Sequence, residues 1–543
     1  MNRSHGRSAV AAAFSAALAT LMLTTGGAAR AATHGVGGRS DLVVHIEGGR
    51  VQGVATGSGF AFRGLPYAAP PVGNLRWRPP QPPVPWKGIR DASQYGASCP
   101  QPSQANLFDP PGPQSEDCLF LNVFTPSLRP NAKRPVLVWF HGGGFTDDGS
   151  LNYDGTKLAA DGLVVVTVNY RLGALGFLAH PALASGPTAS SGNYGLMDQQ
   201  GALRWVRDNI PQFGGNPYDV TIAGQSAGGV SVLAHLVSPG SRGLFQRAIV
   251  ESGAFALNQI PLANAEAFGE GFADEVGCSD QTAECLRHVP VSTLVGDFPA
   301  AAIPGVVDGK VLTQSIGSAL ASGHFAHVPL LDGVNQNEEL LFVAGLGLAV
   351  SGGQFVSAPP PAADVTESEY ESEIVSVLGV SASRASAIAA RYPLAAFPAP
   401  YAGILALSTL LSDANFVCPA LQVNSLVSGR VPTFGYEFDD GTAPPLFAGP
   451  GFFPIATHSS EIQYLFDQPN APFATPLNPD QEALAATMRQ AWANFAAAGN
   501  PTSAAVPWPA FNGTWDVLSL VEPQPQVDTA YAAAHNCSFW AAG

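Results

Sequence analysis

Five consecutive residues, Gly224-Gln225-Ser226-Ala227-Gly228, constrain this chain more than any other feature. The apolar stretch Val220–Ala223 leads in as a buried strand would, and the apolar, small-residue stretch Val230–Val237 leads out as a helix would. Gly-x-Ser-x-Gly between a strand and a helix predicts a sharp turn with the serine at its apex. Side chains beside such a turn must be small, which Gly224, Ala227 and Gly228 satisfy. The start of the helix would aim backbone N–H groups at negative charge developing near Ser226. A plain glycine-rich turn with an incidental serine does not account for the strand and the helix on either side.

A second segment has matching chemistry. Pro135–Phe140 reads as a fully buried strand, and His141-Gly142-Gly143-Gly144 follows it. Glycines after a strand let backbone N–H groups approach a substrate oxygen closely, which is half of an oxyanion hole. The apolar runs Val136–Phe140, Leu163–Tyr170 and Val220–Ala223 alternate with helical patterns such as Gly201–Ile210. That alternation predicts an α/β fold with a largely parallel central sheet and helices on both faces. The region from about 342 to 411 carries helical segments unlike the rest and is expected to form a cap. Pro79–Pro85 and Pro359–Pro361 read as surface loops, and no linker or repeat divides the chain.

Longer motifs carry a resemblance. Glu116-Asp117-Cys118-Leu119-Phe120-Leu121-Asn122-Val123 and the stretch Phe213–Gly228 are similar to the two signatures of the type-B carboxylesterases, the family of cholinesterases and para-nitrobenzyl esterases. Phe62–Ala68, Asn169–Gly173 and Asn193–Gln199 add to the likeness, which is dense from Val51 to Gly253 and readable to Trp540. The resemblance implies an α/β-hydrolase fold and ester hydrolysis through an acyl-enzyme, with no cofactor. It implies Ser226 as nucleophile and His458, in Thr457-His458-Ser459-Ser460-Glu461, as base. It implies Glu338 as the acid after the strand-like Pro329–Val334, in the chain order nucleophile, acid, histidine.

Two departures leave the acid open between neighbours: Asn337 stands where the family has aspartate, and Glu339 where it has glycine. Glu339 is expected to face solvent or the cap. Gly143, Gly144 and Ala227 match the family's oxyanion donors. Ser252 and Glu461 match groups behind the histidine. Gln225 replaces a common glutamate, and its amide is expected to donate to Glu461.

Six cysteines suggest three disulfides, with fifteen pairings open from sequence alone. The resemblance selects Cys99–Cys118, Cys278–Cys285 and Cys418–Cys537. No Cys-x-x-Cys pair supports zinc, and His324-Phe325-Ala326-His327 lacks a third ligand, so no metal is expected. Arg3 and Arg7, the apolar Ala9–Leu23 and the small-x-small site Ala29-Arg30-Ala31 read as a secretory signal peptide over residues 1–31. Separated arginines do not suit a twin-arginine route, and interruptions by Ser15, Thr20, Thr24 and Thr25 disfavour a membrane anchor. The remainder, 32–543, reads as one domain. Loss of the three leader arginines takes the formal charge from −16 to −19, which argues against nucleic acid or an anionic membrane as partner. A monomer acting on a small-molecule ester is expected. The Ala-, Gly- and Pro-rich composition suits a secreted bacterial enzyme.

In cholinesterases a tryptophan inside the first disulfide loop binds the cationic ligand. Here that loop holds only Phe108, so the strongest cation–π platform is missing. With Gln225 in place of glutamate, this points to neutral carboxylic esters. A lipase of long-chain acylglycerols is the alternative within enzymes. A non-catalytic adhesion protein of the same fold is the alternative outside them, disfavoured because Ser226, Glu338 and His458 are all present.

Overall fold

The computed structural model describes residues 42–542 except 103–111, 185–189, 297, 299–304, 352–353, 359, 362–364, 446–454, 469–475 and 514–515. The expected signal peptide, residues 1–31, and Phe108 lie outside the described residues.

Among these residues the chain builds an eleven-stranded sheet. Its strands, in chain order, are β1 (Val54–Ala55), β2 (Phe60–Pro66), β3 (Phe120–Thr125), β4 (Arg134–Phe140), β5 (Val164–Val168), β6 (Gly215–Gln225), β7 (Arg247–Glu251), β8 (Leu330–Asn335), β9 (Thr433–Phe438), β10 (Val517–Leu520) and β11 (Gln526–Asp528). The spatial order is β11-β10-β9-β8-β7-β6-β4-β5-β3-β2-β1. Every pairing from β5 through β4, β6, β7, β8 and β9 to β10 is parallel. Antiparallel pairings flank this centre, β1 to β2, β2 to β3 and β3 to β5 on one side and β10 to β11 on the other. The sheet is thus mixed with a parallel core, as its apolar strands require.

Side-chain alternation splits those strands between two apolar layers. Val136, Val138, Phe140, Val220, Ile222 and Val250 point into one layer. Leu137, Trp139, Ala223 and Ile249 point into the other. The first layer is closed by α1 (Tyr194–Asn209) and α2 (Ala227–Val237), through residues such as Leu203, Val206 and Leu233. The second is closed by a long helix, Pro479–Ala498, through Leu484, Met488, Trp492 and Phe495. Helices on both faces explain why these strands read as continuous apolar runs.

The segment after β8 differs. A six-residue π-turn, Leu341–Leu346, leads to a hairpin of Leu348–Ser351 with Gln354–Ser357. The helices α3 (Glu367–Leu378), α4 (Ala382–Ala389) and α5 (Ala402–Ser412) follow. Tyr370, Ile374, Ile388, Leu407 and Leu411 form an apolar cluster of their own. The helical run Ala402–Ser428 is long and apolar enough to cross a membrane, yet 72% of its most apolar window is buried inside the protein, as in a core helix.

The three disulfides are Cys99–Cys118, Cys278–Cys285 and Cys418–Cys537. These are the pairs that the resemblance selects. The last closes a separation of 119 residues, where the chain-entropy model assigns the largest effect, about 4–5 kcal/mol as an upper value.

Candidate active site

Ser226 sits between β6 and α2 with φ 57° and ψ −123°, a strained backbone for a residue with a side chain. Two hydrogen bonds hold it there: its N–H donates to Glu251 O at 2.8 Å, and Val230 N–H donates to its carbonyl at 2.9 Å. The turn is tight because α2 starts against the end of β4. A Cβ on Gly228 would stand 2.0 Å from Phe140 O, and one on Gly224 would stand 2.7 Å from the same oxygen. The strand leading in is longer than its apolar core suggests, starting at Gly215.

The loop after β4 faces this turn. Gly143 and Gly144 have φ of 79° and 58°, a conformation that glycine adopts without steric cost. Both line one cavity with Ser226 and His458. Ala227 opens α2, where an N–H has no partner within the helix. His141 anchors the loop. Its ring stacks on Tyr170 at 4.4 Å, and Tyr170 OH donates to the His141 carbonyl at 2.7 Å. Burial pushes His141 down to about 3, so it is neutral. Nearby Asp148 is pushed up to about 7 by burial, although it accepts from Tyr153 OH at 2.6 Å and Asn152 Nδ2 at 2.8 Å.

A backbone bridge places Glu338 beside His458. Asn337 pairs with Thr457, and Asn337 N–H donates to Ala456 O at 2.9 Å, so the turn after β8 and the histidine loop are tied one residue before each side chain. His458 Nδ1 lies 2.5 Å from Glu338 Oε2. The other oxygen, Oε1, accepts from Ser252 Oγ at 2.6 Å and from Asn335 N–H at 2.6 Å. Phe342 and Phe416 pack their rings against the imidazole at 4.9 and 5.4 Å. Both members of the pair are buried. An imidazole held by a carboxylate on Nδ1 keeps Nε2 as its acceptor, which is the geometry a general base needs.

Two expectations change in detail and a third narrows. Gln225 does not bond Glu461; its Nε2 lies 3.1 Å from His458 Nε2. The reason is reach: Gln225 ends β6 beside the turn, while Glu461 is held from the other side by Asn335 Nδ2 at 2.7 Å. Gln225 therefore stands at the open nitrogen of the ring, and Ser252 backs Glu338 rather than the histidine. Of its two expected surroundings, solvent or the cap, Glu339 takes the second: it is buried against the hairpin of the 342–411 segment. It accepts from Val350 N–H at 2.9 Å, its own N–H donates to Ser412 Oγ at 2.9 Å, and burial pushes its carboxyl well above the usual range. It holds the hairpin and α5 to the turn that carries Glu338.

Sequence reasoning missed Asn335 and Glu251. Asn335 links Glu338 and Glu461, and its position three residues before Glu338 was the available signal. Glu251 accepts from Trp492 Nε1 at 2.8 Å and is pushed up to about 8 by burial. Glu461 is raised well above its ordinary value by burial, then by Glu251 and Glu338. Burial thus favours the neutral form of both, which leaves the space behind the site less negative than its three carboxyl groups suggest.

The cavity measures about 380 Å³. Its lining combines polar side chains, Gln101, Thr146, Asp147, Asp148 and Tyr153, with apolar ones, Val295, Phe298, Leu341, Phe342, Leu346 and Leu348.

Residues 40–540 match the family model described as the carboxylesterase family. The chain is 34% identical to the human (Homo sapiens) cocaine esterase, over 92% of this chain and 88% of that protein. It is 34% identical to the mouse (Mus musculus) acylcarnitine hydrolase, over 88% of this chain and 86% of the relative. It is 34% identical to the para-nitrobenzyl esterase of Bacillus subtilis (strain 168), over 87% of this chain and 92% of the relative. With a mixed sheet of parallel core, a serine on a strand–helix turn and a match over nearly the whole chain, the protein belongs to the carboxylesterase family: an α/β-hydrolase-fold enzyme that hydrolyses carboxylic esters of small molecules.

Proposed function

We propose that the protein is an exported serine carboxylesterase of neutral esters, with Ser226 as nucleophile, His458 as general base and Glu338 as the acid that orients it. The single observation that carries this reading is that Ser226 and His458 line one cavity while His458 Nδ1 lies 2.5 Å from Glu338 Oε2 behind it. His458 takes the proton of Ser226 as Oγ attacks the ester carbonyl. Glu338 stabilises the imidazolium, and the alcohol leaves with that proton. Water then hydrolyses the acyl-enzyme through the same histidine. Gly143, Gly144 and Ala227 supply the N–H donors for the oxyanion, each worth roughly 3–4 kcal/mol in the transition state. No step calls for a cofactor.

The apolar part of the lining supports an uncharged substrate group, and the described lining holds no lysine or arginine to attract an anionic one. The segment from about 342 to 411 is the cap, since it contributes Phe342, Leu346 and Leu348 to that lining. Residues 1–31 act as the export signal, removed near Ala31, and 32–543 form the esterase domain. Three disulfides fit an oxidising compartment.

Two assays test the reading. An organophosphate should label the parent at Ser226 and leave Ser226→Ala unlabelled, with turnover down by several orders of magnitude. Ordinary turnover in that variant would overturn the mechanism. Soluble butyrate esters should be cleaved faster than emulsified long-chain acylglycerols; the reverse ranking makes the protein a lipase.

A further inference from the structure

The proposed chemistry uses the Nε2 lone pair of His458, and Gln225 holds that lone pair in the resting protein. Because Nδ1 faces Glu338 at 2.5 Å, the neutral ring keeps its proton there and Nε2 can only accept. The atom 3.1 Å away is the amide nitrogen of Gln225, which can only donate. Among the described residues, Ser226 Oγ makes no hydrogen bond to Nε2. Gln225 is buried, and its carbonyl oxygen lies over the oxyanion loop, where a Cβ on Gly142 would stand 3.0 Å from it. The amide therefore bridges the two halves of the site.

Resting on the Ser226–His458–Glu338 reading, we propose that Gln225 is a positioning residue that competes with Ser226 for the base. In the resting state its NH₂ occupies Nε2 and favours the neutral ring. Bound ester brings Ser226 Oγ to Nε2 and displaces the amide. The Oγ–H bond then breaks, its proton joins Nε2, the Oγ–carbon bond forms and the carbonyl π pair moves onto oxygen. The proton then departs from Nε2 with the alkoxide.

The charges around the ring give the amide its importance. Glu338 faces it from the turn after β8, and Glu461 from the ring's own loop. Glu251 stands on β7 opposite Gln225 in register, and Asp147 and Asp148 line the same cavity. A carboxylate favours a protonated ring, although burial holds Glu251, Glu461 and Asp148 toward their neutral forms. Gln225 opposes the carboxylates by donating to the lone pair that protonation would consume.

The test is the pH dependence of kcat/KM on a soluble para-nitrophenyl ester, for the parent, Q225L and Q225M. Both substitutions keep an apolar body of similar size and remove the donor. The acid-limb midpoint should move up by about half a unit to one unit, the scale of one neutral hydrogen bond. A variant with merely loosened packing would lose rate at every pH with an unmoved midpoint. That result, or a midpoint that moves down, in whichever of the two variants folds, overturns the proposal. S226A measured alongside separates the failures. Turnover surviving in S226A sinks the triad itself; an inactive S226A with unmoved midpoints sinks only the part assigned to Gln225.

Discussion

A buried histidine, His458, and a part-buried one, His535, are built from similar parts and differ in one. His458 has a carboxylate on Nδ1 and an amide at Nε2. His535 has carboxylates on both nitrogens, with Asp413 Oδ1 at 2.6 Å from Nδ1 and Glu437 Oε1 at 3.0 Å from Nε2. Tyr392 OH donates to the other oxygen of Asp413 at 2.6 Å, and Trp540 Nε1 donates to Tyr392 OH at 2.9 Å. His535 is pushed up to about 10: burial alone would lower it, but hydrogen bonds and charge from Asp413 and Glu437 outweigh that. A ring held charged on both sides cannot accept a proton. It serves as a pin, joining β9, the run into Cys418 and the C-terminal turn beside the Cys418–Cys537 bridge.

The comparison can be broken by removing each ring. His458→Ala should cut turnover by roughly ten-thousandfold and leave the thermal midpoint near the parent's, as for loss of one member of a catalytic unit. Removing the single carboxylate is the next largest change. Glu338→Gln should cost about a hundredfold or more in turnover, since the imidazole loses its orienting acceptor and its counter-charge.

His535→Gln should act the other way, on stability. Breaking a buried ion pair by removing one partner costs about 3–5 kcal/mol, read by urea unfolding, while kcat of the folded enzyme stays within a few-fold. Its pH dependence has a definite sign. The folded-state value of His535 is raised from 6.5 to about 10, so its contribution is whole below about 6.5 and is lost as pH rises through 10. The gap in stability between parent and variant should be widest in mild acid and close at high pH; a gap that widens toward high pH would contradict the pairing.

Gln225→Glu sharpens the comparison by giving His458 a carboxylate on each side, as His535 has. The acid limb of kcat/KM should shift up by about one unit, and activity near neutrality should fall by roughly tenfold. An unchanged limb in a folded variant would mean that position 225 does not sense the ring. Glu339→Gln is the smallest effect: turnover within a few-fold of the parent, because its carboxyl bonds Val350 rather than the imidazole.

The legible parts of this molecule are those written in local backbone geometry. The strand–serine–helix turn and the His-Gly-Gly-Gly loop each need particular residues at consecutive positions, so Ser226, Gly143 and Gly144 could be read directly. Glu338 and His458 came from resemblance, and the geometry sets them side by side. What sequence did not reveal are contacts between side chains far apart in the chain. Gln225 and His458 are 233 residues apart, and which nitrogen the amide meets depends on how β6 and the histidine loop are packed. Sequence leaves Glu339 open between solvent and the cap; only the fold brings a hairpin of the 342–411 segment over it, where Val350 N–H donates to its carboxyl. The pin at His535 joins three separate segments and has no motif at all.

The segment after β8 has an apolar cluster apart from those of the sheet, and it reaches the cavity through few side chains, Leu346 and Leu348 among them. Leu346 lies outside the apolar clusters of the sheet, whereas Leu348 packs against the layer that also holds α2. For anyone redirecting this enzyme to new esters, Leu346 is therefore the contact to vary first, because its replacement reshapes the cavity at the least cost to the strand–helix turn.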